Sequence, residues 1–93
     1  MWHNQMQIIM TARFEKSFMK LDAQSQAAVL EAIDRLFHQP DHPSLRRKKV
    51  QGTHGKVWEI SGNMDIRITF HLAKPNGIIL RNCGHHDDAL KKP

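Results

Sequence analysis

The sequence has no tyrosine, one cysteine, five glycines and four prolines in 93 residues, and fewer acidic than basic side chains. Each shortage excludes something. A lone cysteine, Cys83, cannot close an internal disulfide, so a stapled secreted scaffold is ruled out and a reducing, cytoplasmic setting is expected. No apolar run approaches the roughly 20 residues that cross a bilayer, so no membrane association by a spanning helix is expected. Residues 1–5, Met1-Trp2-His3-Asn4-Gln5, lack the basic and then apolar order of a signal peptide and read as a loose leader, with Trp2 an incidental surface aromatic. There is no glycine-rich phosphate loop, nucleophile elbow or Cys-His nucleophile motif.

What remains is an ordinary globular composition, 40% hydrophobic and 25% charged, without repeats or low-complexity segments. At this length residues 1–93 form one domain with a single modest core. The formal charge of +5, counted with all seven histidines neutral, points to an anionic partner without choosing among nucleic acid, acidic protein and anionic lipid.

Gln7 to Met10 reads as a strand. Thr11 is a reasonable N-cap for a helix whose Phe14, Phe18 and Leu21 share a stripe. Asp22 caps a second helix carrying Val29, Leu30, Ile33, Leu36 and Phe37, which stops before Pro40. After the turn-rich Pro40 to Ser44, short β-branched and aromatic runs alternate with glycine-containing turns. Strands are expected near Arg46 to Val50, Lys56 to Ile60, Asp65 to His71 and Gly77 to Cys83. Ile66, Ile68 and Phe70 would face one side and Arg67, Thr69 and His71 the other. The fold class is α+β: an N-terminal strand and a two-helix hairpin packed on one face of a mainly antiparallel twisted sheet.

Four features carry possible chemistry. Arg46, Arg47, Lys48, Lys49 and Lys56 crowd a stretch with no acidic residue, a footprint for phosphate. Strand alternation would send Arg46 and Lys48 to one side and Arg47 and Lys49 to the other. Arg67 stands mid-strand, there either to bridge to Glu59 or Asp65 or to receive an anion, and Arg81 faces the same choice with Asp87 or Asp88 as its alternative partners. His85 and His86 follow Gly84 at a strand end, beside Asp87 and Asp88. Histidine both takes and gives a proton near neutral pH, so the pair invites an acid/base role. Cys83, His85, His86 and Asp88 are chemically able to bind zinc, but neighbours in extended chain point apart, so no metal and no cofactor is expected. Cys83 reads as a small buried hydrophobe and Trp58 as core or, if exposed, a base-stacking platform. His3, His38, His42 and His54 fall in loops or ends.

In this order, Phe14-Glu15-Lys16-Ser17-Phe18 with Leu21, the basic segment to Gly52, Lys56-Val57-Trp58-Glu59-Ile60, Ile66-Arg67-Ile68-Thr69-Phe70 and Gly84-His85-His86-Asp87-Asp88 resemble the RelE/ParE superfamily of bacterial toxins. The ending is most similar to YafQ-like members, whose Gly-x-His-x-Asp pattern falls on Gly84, His86 and Asp88. The resemblance implies the toxin of a toxin–antitoxin pair, a metal-independent endoribonuclease cutting messenger RNA on the ribosome, with a cognate antitoxin as partner. It implies catalytic roles for His86, Arg67 and Lys49, with His85 as the alternative acid/base and Asp88 in support, and RNA contacts from Arg46, Arg47, Lys48, Lys56 and Arg81. Two other readings stay open: a ParE-like poison of DNA gyrase, and an inactive homologue that binds only antitoxin or RNA.

Overall fold

A computed structural model describes residues 6–93; the leader, with Trp2 and His3, lies outside them. Strand β1 (Gln7–Met10) leads into helix α1 (Ala12–Met19) and helix α2 (Ala23–His38). A 3-10 turn at Pro43–Leu45 precedes strands β2 (Lys48–Lys49), β3 (Trp58–Ser61), β4 (Ile66–Ala73) and β5 (Gly77–His85), and the chain ends with helix α3 (His86–Lys91). The expected caps form. Thr11 Oγ1 accepts the Phe14 N–H at 3.1 Å and donates to the Leu80 carbonyl at 2.8 Å, so one hydroxyl starts α1 and ties it to β5. Asp22 Oδ1 accepts the Ser25 N–H at 2.7 Å at the start of α2.

The strands form one sheet in the order β1-β5-β4-β3-β2, parallel between β1 and β5 and antiparallel elsewhere. This bears out the α+β class with a mainly antiparallel sheet. Beyond Met10, α1 takes over alongside β5, where Arg13 Nε donates to the Arg81 carbonyl at 3.2 Å. The apolar stripe of α2, with Val29, Ile33 and Leu36, packs with Phe14 over Ile60, Ile66, Ile68, Phe70 and Leu80. A register shift between Thr69 and Phe70 pairs them with Asn82 and Leu80 and leaves Arg81 as the extra residue. Leu80 and Cys83 can therefore both point into the core, which strict alternation forbids.

Several expectations need correction. The basic strand shrinks from Arg46–Val50 to Lys48–Lys49, because Arg46 adopts a left-handed φ of 48° to close the 3-10 turn. Lys56 lies in the preceding turn rather than in β3, which begins at Trp58. Asp65 precedes β4 instead of starting it, and β5 runs on to His85. The residues after His85 are helix, not a polar strand end: Asp87 and Asp88 sit in the first turn of α3 and Lys91 in the last, the arrangement that the helix dipole favours. This helix packs against β4 and β5 on the face opposite α2, with Ala89 wholly buried. His42 also has a task, its Nδ1 accepting the Ser44 N–H at 3.1 Å.

Leu80 is fully buried where β1, α1 and β4 meet β5. Leu80→Ala should therefore lower unfolding free energy by about 2–5 kcal/mol in urea titration. A loss below roughly 1 kcal/mol would contradict this packing.

Candidate active site

The pairing of β4 with β5 assembles the polar end of the sheet by setting Arg67 opposite Gly84 and Ile66 opposite His85. Gly84, at φ 155°, occupies backbone space that side chains rarely adopt. Arg67 lies on the outer face, away from α2, and is held on two sides. Its Nη1 donates to the carbonyls of Asn63, Met64 and Ile66 at 3.1, 3.1 and 3.0 Å, and its Nε lies 3.7 Å from Glu59 Oε1. The two side chains are only 14% and 6% exposed, so the partner suggested by strand neighbourhood is indeed Glu59. Among the described residues nothing engages Arg67 Nη2.

His85 follows the face of Ile66, towards the helices. Its Nδ1 donates to Asp65 Oδ2, and it shares with Ser17, Lys20, Asp22, Asn82 and Asp88 a cleft of about 460 Å³. The hydrogen bond to Asp65, with the charges of Asp65, Asp88 and Asp22, raises the imidazole pKa above its ordinary 6.5, while the same bond lowers Asp65 below 3.8. The nearby His86 backbone N–H also lowers the Asp65 carboxyl, while His85, the N-cap of α3, makes no side-chain cap bond. His86 opens α3 over the outer face, half-exposed, with Nδ1 3.2 Å from Asp87 Oδ1. The two histidines thus belong to different elements, His85 to the end of β5 and His86 to the first turn of α3.

Lys48 pairs with Glu59, on the Arg67 face. Lys49 pairs with Trp58 and turns to the opposite face, its Nζ 5.3 Å from the Trp58 ring centre. Arg47 lies 5.6 Å from the same ring and bonds Asp41 Oδ1 at 2.9 Å, while Arg46 and Lys56 are exposed. Trp58 is half-buried at the core's margin beneath two cations. Arg81 does not meet Asp87 or Asp88: Nη1 bonds His71 Nδ1 at 2.9 Å, and Nε donates to the Pro93 backbone oxygen at 3.0 Å. The structure therefore groups Arg67, Lys48 and the start of α3 on one face and sets Lys49, Arg47 and Arg81 apart from them. Cys83 is buried, its thiol pushed up to about 12, and among the described residues no cluster of three metal-ligating side chains forms.

Sequence reasoning treated Glu59 and Asp65 only as alternative partners of Arg67 and missed the Asp65–His85 contact. The Ile66–His85 register places Asp65 beside the strand end, and an Asx turn, with Asn63 Oδ1 accepting the N–H groups of Asp65 and Ile66 at 2.9 Å, holds it there. A register cannot be read before the bulge is known.

The pair has a defined pH window. A raised His85 stabilises the fold fully below 6.5 and loses that contribution as pH climbs through its folded pKa; a lowered Asp65 contributes fully above 3.8 and loses it as pH falls through its own. The pairing is thus complete between those values. In an NMR titration His85 should titrate above 6.5 and move down in Asp65→Asn; an unchanged midpoint would remove Asp65 as the cause.

No protein-family model matches the sequence, and no curated protein does. Solved structures do match. The chain superposes on a YoeB/ParE toxin from Agrobacterium tumefaciens with a TM-score of 0.69 at 13% identity, over 87% of this chain and 99% of that one. For the E. coli DinJ-YafQ toxin-antitoxin complex the values are 0.72 and 14%, over 90% and 96% of the chains. For the toxin-antitoxin complex RelBE2 from Mycobacterium tuberculosis they are 0.69 and 18%, over 87% and 98%. At such identities the likeness is one of fold, and the fold is that of the RelE/ParE-like toxins.

Proposed function

We propose, from a chain with the fold of these toxins, that the protein is the toxin of a type II toxin–antitoxin pair and acts as an endoribonuclease on messenger RNA, on the ribosome, without a metal. The observation that carries the reading is the placement of Arg67, Lys48 and the His86-bearing start of α3 on one face of the sheet. A phosphodiester on that face would meet Arg67 Nη2, the edge of the guanidinium left free when Glu59 and three carbonyls hold the rest. A cation fixed before substrate arrives stabilises developing phosphate charge without reorganising.

In this mechanism the ribose 2'-oxygen attacks the adjacent phosphorus, and His86 takes the 2'-hydroxyl proton. The bond from phosphorus to the 5'-oxygen breaks, and the 5'-oxygen leaves with a proton from solvent. The products are a 2',3'-cyclic phosphate and a 5'-hydroxyl. Arg67 and Lys48 balance the charge on the pentacoordinate phosphate. Asp65, through His85 and the His86 N–H, fixes where α3 begins and so where His86 stands. Lys49, Arg46, Arg47 and Lys56 lie outside this group and serve RNA binding more broadly, and Asp88 acts through His85. The partner is a cognate antitoxin whose acidic segment covers the basic face.

His86→Ala should reduce RNA cleavage by about 10²–10⁴-fold with circular dichroism and unfolding midpoint unchanged. Full cleavage by that folded variant would remove His86 from the chemistry. Induced expression should arrest translation with DNA intact; gyrase-dependent DNA breaks with normal translation would instead establish the ParE-like reading.

A further inference from the structure

A second cleft, about 440 Å³ in volume, opens between β2, β3 and α3 and is lined by Lys48, Lys49, Val50, Gln51, Glu59 and Leu90. That volume falls in the roughly 300–1,000 Å³ range of small-molecule pockets. Its unusual member is Glu59. The side chain is only 6% exposed, yet its sole partner among the described residues is Arg67 Nε at 3.7 Å, beyond hydrogen-bond range. No wholly buried side-chain oxygen lacks a partner among the described residues, so the Glu59 oxygens reach the cleft, where a carboxyl group offers more acceptor positions than Arg67 Nε can meet. An acceptor opening only onto a cleft is suited to a ligand that brings donors. Lys48, paired with Glu59 at the rim, calls for negative charge on the same ligand, and Val50 and Leu90 offer apolar walls for a flat ring.

We propose that this cleft is a base-binding pocket for a guanine nucleotide of the RNA, read by Glu59. The assignment rests on the ribonuclease reading above and adds its specificity determinant. Guanine presents two adjacent donors, N1–H and the N2 amino group, that match the two oxygens of one carboxylate. Uracil presents a single N3–H between two carbonyls, which a carboxylate repels. Adenine and cytosine each offer one amino group beside a ring acceptor. Because Glu59 also neighbours Arg67 and pairs with Lys48, a guanine seated there would lie next to the phosphate that Arg67 and Lys48 hold.

The test uses the intact protein with 3'-GMP, 3'-AMP, 3'-CMP and 3'-UMP as separate probes, followed by NMR shifts of Lys48, Glu59 and Leu90, alongside mapping of cut sites in RNA. Wild type should bind 3'-GMP about tenfold or more tightly than the others, as a bidentate base contact allows. Glu59→Gln, which replaces one acceptor with a donor, should abolish that preference. Gln51→Trp, at the exposed rim, should block the cleft while leaving the Glu59–Arg67 pair in place, and should abolish it too. Equal binding of all four nucleotides by wild type, or a guanine preference that survives both substitutions, overturns the pocket. Guanine-selective binding at Glu59 by a wild-type protein that cuts no RNA leaves the pocket standing and overturns the nuclease. Loss of cutting in Glu59→Gln with guanine preference intact overturns the pocket and reduces Glu59 to a positioning residue for Arg67.

Discussion

The shifted register between β4 and β5 is the constraint from which the rest of the candidate site follows. One extra residue, Arg81, restores core-facing phase to the second half of β5, so that Cys83 is buried, Gly84 lies opposite Arg67, and His85 ends the strand opposite Ile66. Without the bulge the phase of every residue after Leu80 would invert, since side chains alternate with a period of two. Asn82 would then point into the apolar core, and the strand would end with its histidines on exchanged sides. The bulge residue is itself employed: Arg81 bonds His71 and the Pro93 backbone oxygen.

Several cations on this chain have local carboxylate partners. Arg67 faces a buried glutamate, Arg47 bonds Asp41, and His85 is surrounded by Asp65, Asp88 and Asp22. What distinguishes the outer face is how its cation is held. An arginine bound through Nη1 and lying beside a buried glutamate has lost much of its side-chain freedom before a ligand arrives, so an oxygen meeting it incurs little ordering cost. Exposed lysines such as Lys56 attract a polyanion at distance but orient nothing, and salt screens them. Attraction and positioning are thus divided between the exposed basic loop and the held strand arginine.

The two helices, the β4 strand with its alternating faces and the β4–β5 hairpin were legible because their signals are local: Thr11 and Asp22 are capping residues, and Ile66, Ile68 and Phe70 alternate with polar neighbours. The toxin-like fold was legible for the same reason, since its elements appear in order. Three features were not. The basic strand lost Arg46 to a left-handed turn, a backbone state that arginine side-chain chemistry does not announce. The bulge leaves no mark on β5, whose apolar run looks continuous. Helix α3 lies below the length at which isolated helices hold together, so its six residues carried no periodic signal.

That shortness has a structural consequence for the candidate chemistry. A helix of six residues gains little from its own hydrogen bonds, so the position of His86 must come from outside it. At one end, Asp65 holds His85 and meets the His86 N–H. At the other, Arg13 Nη2, Thr69 Oγ1 and Arg81 Nε converge on the Pro93 backbone oxygen at 2.8, 3.0 and 3.0 Å, while Asn82 Nδ2 donates to Lys92 at 3.0 Å. Between these ends Ala89 is buried on the sheet. The clamp draws on α1, β4 and β5 together, so a disturbance in any of them reaches α3 without touching it. The site is therefore a property of the sheet's far face as a whole, and the strand pairing that orders the core also sets the distance between Arg67 and the first turn of α3.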